Sequence, residues 1–151
     1  MAGREPVRAG AAAMVARVWH QRHVVAAPGA PAPAGPYSHA IVAGGLVFCS
    51  GQIALHAGGG ELVGEGAAEQ ATACLRNLAE VCATAGARLE DAVRLTLYLT
   101  DLAGDAPAVN DVYASYFSAI ADALPARAAV GVTELPRGAR VMIDAVVALP
   151  D

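Results

Sequence analysis

AVRLTLYL, residues 92–99, decides the fold. Val93, Leu95, Leu97 and Leu99 fall on one side of this stretch and Arg94, Thr96 and Tyr98 on the other, the period of a strand with one buried face. Helical patterns stand on both sides of it. Upstream, Ala67, Ala71, Leu75, Leu78 and Cys82 recur at helical spacing and predict a helix over Ala67 to Ala85, which Gly86 stops. Downstream, Val109, Val112, Tyr113, Tyr116, Phe117 and Ile120 make an apolar stripe. They predict a helix from Pro107 to Ala121, with the proline early in it, where its missing N–H costs least.

Further strands lie outward from this unit. Gly44-Gly45 separates His39–Val42 from Leu46–Ser50, a hairpin signal because glycine adopts positive φ without strain. Val18 to Val25 (VWHQRHVV) predicts a first strand. It is joined to the hairpin by Ala26 to Pro36, where prolines alternating with small residues give an extended connection. Ile53 to Gly66, with Gly58-Gly59-Gly60, predicts a surface loop. Toward the C-terminus, strands over Arg127 to Val132 and Arg140 to Ala148 flank the turn Leu135-Pro136-Arg137-Gly138. The order is β-β-β-α-β-α-β-β, an α/β (α+β) domain in which two helices cover one face of a six-stranded sheet. The other face is too apolar to stay wet, and a homotrimer of sheets packed about an axis would cover it. Residues 1–16 predict a flexible tail ahead of one domain over 17–151, with Met14 an alternative start.

Composition narrows the function. Hydrophobic residues make up 56% of the chain and charged residues 16%, which suits a buried subunit interface, although alanine supplies part of the excess. The net charge of -4, without a basic face, gives nucleic-acid binding no electrostatic support. No apolar run is long enough to span a membrane, and the N-terminus lacks the apolar core of a signal peptide. Cys49, Cys74 and Cys82 lack metal-site spacing and are odd in number, so free thiols in a reducing, cytoplasmic setting are expected. Cys74 and Cys82 fall on the apolar helix stripe, and Cys49 faces away from Ser50. His20, His23, His39 and His56 stand at no recognisable spacing from a serine or cysteine nucleophile, so hydrogen-bonded or solvent-facing roles are expected for all of them.

Three segments, in this order, resemble the RidA (YjgF) family. They are Gly35-Pro36-Tyr37-Ser38 with Phe48-Cys49-Ser50-Gly51-Gln52-Ile53; Asn110 to Phe117 (NDVYASYF); and Leu124-Pro125-Ala126-Arg127 with Glu134-Leu135-Pro136 and Arg140 to Val147. The resemblance runs from about Val18 to Leu149. It implies a chorismate-mutase-like fold, a homotrimer with sites at the subunit clefts, and hydrolysis of reactive 2-imino acids to 2-keto acids and ammonia without a cofactor or metal. Within it, Arg127 corresponds to an arginine whose planar fork holds the substrate carboxylate through two parallel hydrogen bonds; a surface ion pair is the plainer role. Tyr37 corresponds to a tyrosine at the mouth of the site, or simply packs. Ser50 corresponds to a serine reaching the ligand, or caps a turn. Asn110 bonds across the interface, or decorates a helix surface. Gly51 is expected to serve backbone shape, and Tyr113, Tyr116 and Phe117 the core.

Two positions depart from the family pattern. Imine deaminases of this type carry a glutamate fifteen residues after the arginine, where it positions the attacking water; here that residue is Met142, and a thioether is no base near neutral pH. A cysteine common two residues after the arginine is Ala129. Strand alternation puts Asp144 on the side of Met142, the one nearby carboxylate, either as a substitute catalytic group or in a hydrogen-bond network at the trimer centre. Two readings follow: an imine or enamine deaminase with weakened or altered chemistry, or a non-catalytic trimer that binds small carboxylates as a sensor or chaperone-like partner. An isomerase reading would rest on architecture alone.

Overall fold

The computed structural model describes residues 21–121 and 123–151; the expected tail over 1–16, the start at Met14 and the first residues of the expected opening strand lie outside them. The strands are β1 (His23–Val25), β2 (Ala40–Ala43), β3 (Leu46–Ile53), β4 (Ala92–Leu99), β5 (Ala126–Gly131) and β6 (Val141–Ala148), and the helices α1 (Ala67–Thr84) and α2 (Leu102–Ile120). They form one sheet in the order β1-β2-β3-β6-β4-β5. Every neighbouring pair is antiparallel except β4–β5. The sheet is therefore mixed, and its six strands are the number expected. The topology explains why both helices share a face. α1 carries the chain from β3 to β4, and α2 from β4 to β5, so both connections step toward the same edge. Crossovers of the usual right hand that step in one direction leave their helices on one side.

That side is closed. Leu95, Leu97 and Leu99 of β4, and Val141, Ile143, Ala145 and Val147 of β6, pack beneath Leu75, Leu78 and Cys82 of α1 and Val109 and Phe117 of α2. Each large apolar side chain taken fully out of water contributes roughly 1.5–3 kcal/mol. The opposite side is open. Met142, Asp144 and Val146 alternate with the buried residues of β6, and Phe48 on β3 is 46% exposed.

Four local features differ from the sequence expectation. Among the described residues β1 covers only His23–Val25, and exposed Gln21 and Arg22 stand outside it. Val93 is 48% exposed rather than in line with Leu95, because the β4–β6 register shifts between Ala92 and Arg94. β3 runs on to Ile53, past a register shift between Cys49 and Gln52. α2 begins five residues before Pro107, at Leu102, so the proline lies inside the helix. The carboxylate of Asp101 caps it, accepting the Gly104 N–H at 3.0 Å. Buried Asp105 then takes both ends of the Arg140 guanidinium, at 2.6 and 3.1 Å, and fixes the first turn to the start of β6.

Candidate functional site

A cavity of about 250 Å³ opens where the proline-rich connection crosses the ends of β2, β3 and β6. Its outer wall is chain without regular structure, and side chains hold it. The buried ring of His39 accepts the Ala27 N–H at Nδ1 (3.0 Å) and lies 2.9 Å from the Pro31 carbonyl through Nε2, so Nε2 carries the proton and donates. The hydrogen-bonded role expected for His39 is thus met, and both ring nitrogens are occupied. Behind the cavity, Asn77 on α1 donates to the Ile53 and Leu55 carbonyls at 3.2 and 3.0 Å, anchoring the chain as it leaves β3.

Tyr37, Ser50 and Met142 all line this cavity. The Tyr37 hydroxyl oxygen accepts the Ala34 N–H at 3.1 Å, which leaves its proton free to donate. Ser50 differs: its Oγ donates to the Ser38 carbonyl at 2.6 Å, so toward a ligand it offers lone pairs only. Ser50 and Gly51 together stand opposite one residue, Asp144, a bulge that turns them toward the cavity. A Cβ at Gly51 would lie 2.7 Å from the Met142 Sδ, so a larger residue there would have to displace the thioether. The thioether therefore rests on the Gly51 backbone.

Arg137 was not anticipated. Among the described residues it is the one charged side chain lining the cavity. Its backbone is left-handed (φ 59°), alone among described non-glycine residues, and its Nη1 donates to the Gly60 carbonyl at 2.9 Å. The Pro136-Arg137-Gly138 turn was legible, but its closure on a loop 77 residues away was not.

Arg127 lies elsewhere. It is paired with Leu95 across β4–β5, and register partners share a face, so it sits on the helix side of the β5 edge. Met142 is paired with Tyr98 and points to the open side. Two strand positions and a change of face separate them, and one chain does not bring them together. The Arg127 guanidinium carbon is 4.8 Å from the centre of the Tyr113 ring, which in turn packs 4.7 Å from the ring of Phe117. Tyr113 is core, as expected, and also a platform. Burial raises the Tyr113 phenol above its ordinary pKa, with Arg127 opposing, and its hydroxyl has no hydrogen-bond partner among the described residues. Arg127 is exposed and within 4.0 Å of no described carboxylate. Ala129 follows on the same strand side, and exposed Asn110 lies one helical turn before Tyr113.

Asp144 joins neither group. It faces the open side and accepts the Tyr98 hydroxyl at 2.9 Å; burial and then this carboxylate raise the Tyr98 pKa. The three cysteines are buried and free, with Cys49 and Cys82 Sγ atoms 3.9 Å apart. Burial pushes the Cys74 thiol up to about 12. No set of three or more described His, Cys, Asp or Glu residues could hold a metal, and no described helix is long and apolar enough to cross a membrane.

The profile of the family described as Endoribonuclease L-PSP matches residues 28–149. A mouse 2-iminobutanoate/2-iminopropanoate deaminase is 41% identical over 125 residues, covering 83% of this chain and 90% of the mouse protein. A protein of Sinorhizobium fredii described as RutC family protein y4sK is 45% identical, over 80% of this chain and 92% of its own. Among solved structures, E. coli TdcF with bound serine superposes with a TM-score of 0.79 at 30% identity, covering 85% of this chain and 99% of that one.

Proposed function

The chain belongs to the Endoribonuclease L-PSP family, which takes in the YjgF-type proteins, and from that premise we propose that it binds a small 2-imino or 2-keto acid in a cleft between two copies of itself. One copy supplies the cavity with Tyr37, Ser50 and Met142, and its partner supplies Arg127, with Ala129 and Asn110 beside it. The observation that carries this reading is the separation of the two halves. Arg127 is exposed, without a described carboxylate partner, and stacked on a rigid aromatic platform at a sheet edge; the cavity lies on the far side of the same sheet. A homotrimer accounts for both, and it covers the open face with Phe48, Tyr98 and Val146.

The proposed reaction is imine hydrolysis. Arg127 holds the carboxylate by two parallel hydrogen bonds and so fixes the adjacent C=N carbon. Water adds to that carbon, a proton moves to the nitrogen, and ammonia leaves to give the 2-keto acid. No cofactor is required. The described cavity lining holds no carboxylate to assist the water, and Asp144 accepts from the Tyr98 hydroxyl, which predicts slow turnover. That same absence favours a second reading, a non-catalytic binder of small carboxylates. The net charge of -4 gives no support to an endoribonuclease activity, and three free cysteines suit a reducing, cytoplasmic setting.

The test is to generate 2-iminobutanoate in situ and follow release of the keto acid, with 2-ketobutyrate binding measured on the same preparation by calorimetry. Release above the uncatalysed rate supports the enzyme, binding alone supports the second reading, and neither rejects both. Light scattering that shows a monomer at micromolar concentration rejects the shared site.

A further inference from the structure

Arg137 asks for a partner that the fold does not supply. Its φ of 59° is a conformation L side chains rarely adopt, and none of the other described residues except glycines adopts it. Such strain persists where surrounding structure over-determines it, often at ligand clamps. Here the surroundings are the flanking Pro136 and Gly138 and the Nη1 hydrogen bond to Gly60, 2.9 Å, which spans the rim from the turn to the glycine loop. One of five guanidinium N–H groups is thus accounted for by that bond. No described carboxylate lies within 4.0 Å; by contrast Arg140, three residues on, is locked to Asp105.

The charge balance of the cavity follows. Among its described lining residues Arg137 is the only charged one, and the others are apolar or neutral. Position 142, where the family pattern has an acid, holds a thioether packed on Gly51. If the partner's Arg127 enters the cleft, as the proposed function requires, it adds a second cation to a cavity whose described lining holds no carboxylate. A monocarboxylate neutralises one of them. We propose that the preferred ligand carries two carboxylates, a four- or five-carbon 2-imino or 2-keto dicarboxylic acid, with Arg137 as the residue that selects the second carboxylate. The volume of about 250 Å³, below the roughly 300–1,000 Å³ of ordinary ligand pockets, suits a small acid. This inference rests on the small-acid reading of the site and adds the class of acid.

The experiment compares 2-ketobutyrate with 2-oxoglutarate, by calorimetry at low and at high salt, on the unaltered protein, Arg137→Gln and Arg137→Lys. Glutamine keeps a donor for Gly60 without the charge, and lysine keeps the charge without the fork. The readout is the ratio of the two affinities, which a purely structural brace would not move. On the unaltered protein the dicarboxylate should bind about fivefold to tenfold more tightly at low salt, with the advantage shrinking at high salt. Arg137→Gln should bring the ratio near one, and Arg137→Lys should restore part of it. Equal affinities on the unaltered protein, or a ratio that survives Arg137→Gln, overturn the proposal while 2-ketobutyrate binding leaves the small-acid reading standing. If neither acid binds, the small-acid reading itself is rejected, and this inference with it.

Discussion

The β5 edge and the proline-walled cavity each hold an arginine without a described carboxylate partner, yet they are built in opposite ways. Arg127 extends from regular strand backbone over the face of Tyr113. Arg137 comes from a strained turn, bridges two loops, and overlooks a cavity without a carboxylate. The first region offers charge on a rigid platform; the second offers shape, a free phenolic proton on Tyr37 and a weak thioether floor. In the proposed function each is half of one site. Two strand positions and a change of face separate Arg127 from Met142, and in the proposed function a second copy joins one region to the other.

The largest effect expected on this comparison concerns the cavity. Met142→Glu puts a carboxylate on the floor and should raise 2-iminobutanoate hydrolysis by about a hundredfold or more, the usual range of general-base assistance. A variant that assembles, binds 2-ketobutyrate and gains no rate shows that the missing acid is not what limits the cavity. Next comes the edge. Arg127→Ala should weaken 2-ketobutyrate binding roughly tenfold to a hundredfold, the worth of a charged hydrogen bond of about 1.5–3 kcal/mol, and Arg127→Lys should not restore it, because an ammonium lacks the fork. Unchanged calorimetric affinity removes Arg127 from the site.

A smaller effect is expected at Gly51. Alanine there meets the Met142 Sδ at 2.7 Å and pushes the flexible thioether into the cavity. Affinity should fall a few-fold in Gly51→Ala and recover in Gly51→Ala with Met142→Ala, since the overpacking is then relieved. The smallest effect tests the closed face beneath α1. With its thiol held near 12 by burial, Cys74 should resist a disulfide reagent at pH 8 until the protein is unfolded. Rapid labelling of Cys74 in the native protein contradicts the described packing.

Much of the architecture was legible because it rests on short-range periodicity. Alternation in AVRLTLYL and the α1 stripe marked the core strand and its cover, and Leu95, Leu97, Leu75 and Leu78 are indeed fully buried. What was missed depends on distant partners. Asp101 reads as an ordinary loop acid until Gly104 donates to it, and Asp105 gains its role only from Arg140. The bulge at Ser50-Gly51 exists only relative to β6. In the site, Tyr37, Ser50 and Met142 were found through family resemblance and do share one cavity. Arg137 escaped because a left-handed arginine has no local signature, unlike a glycine. The opposite facing of Arg127 and Met142 escaped because it is set by β4 register, which spacing alone does not give.

The shared site is the central claim, and subunit mixing tests it most directly. Arg127→Ala removes the edge half and Gly51→Leu fills the cavity half, so each homotrimer should bind 2-ketobutyrate weakly or not at all. In trimers assembled from an equal mixture, a site formed between two copies draws its halves independently. About a quarter of the sites then combine an intact Arg127 from one copy with an intact cavity from the next. Calorimetry on the mixed trimers, with their composition verified by native mass spectrometry, should recover binding at about that stoichiometry. Mixed trimers that recover none contradict the account and place the carboxylate site within a single chain.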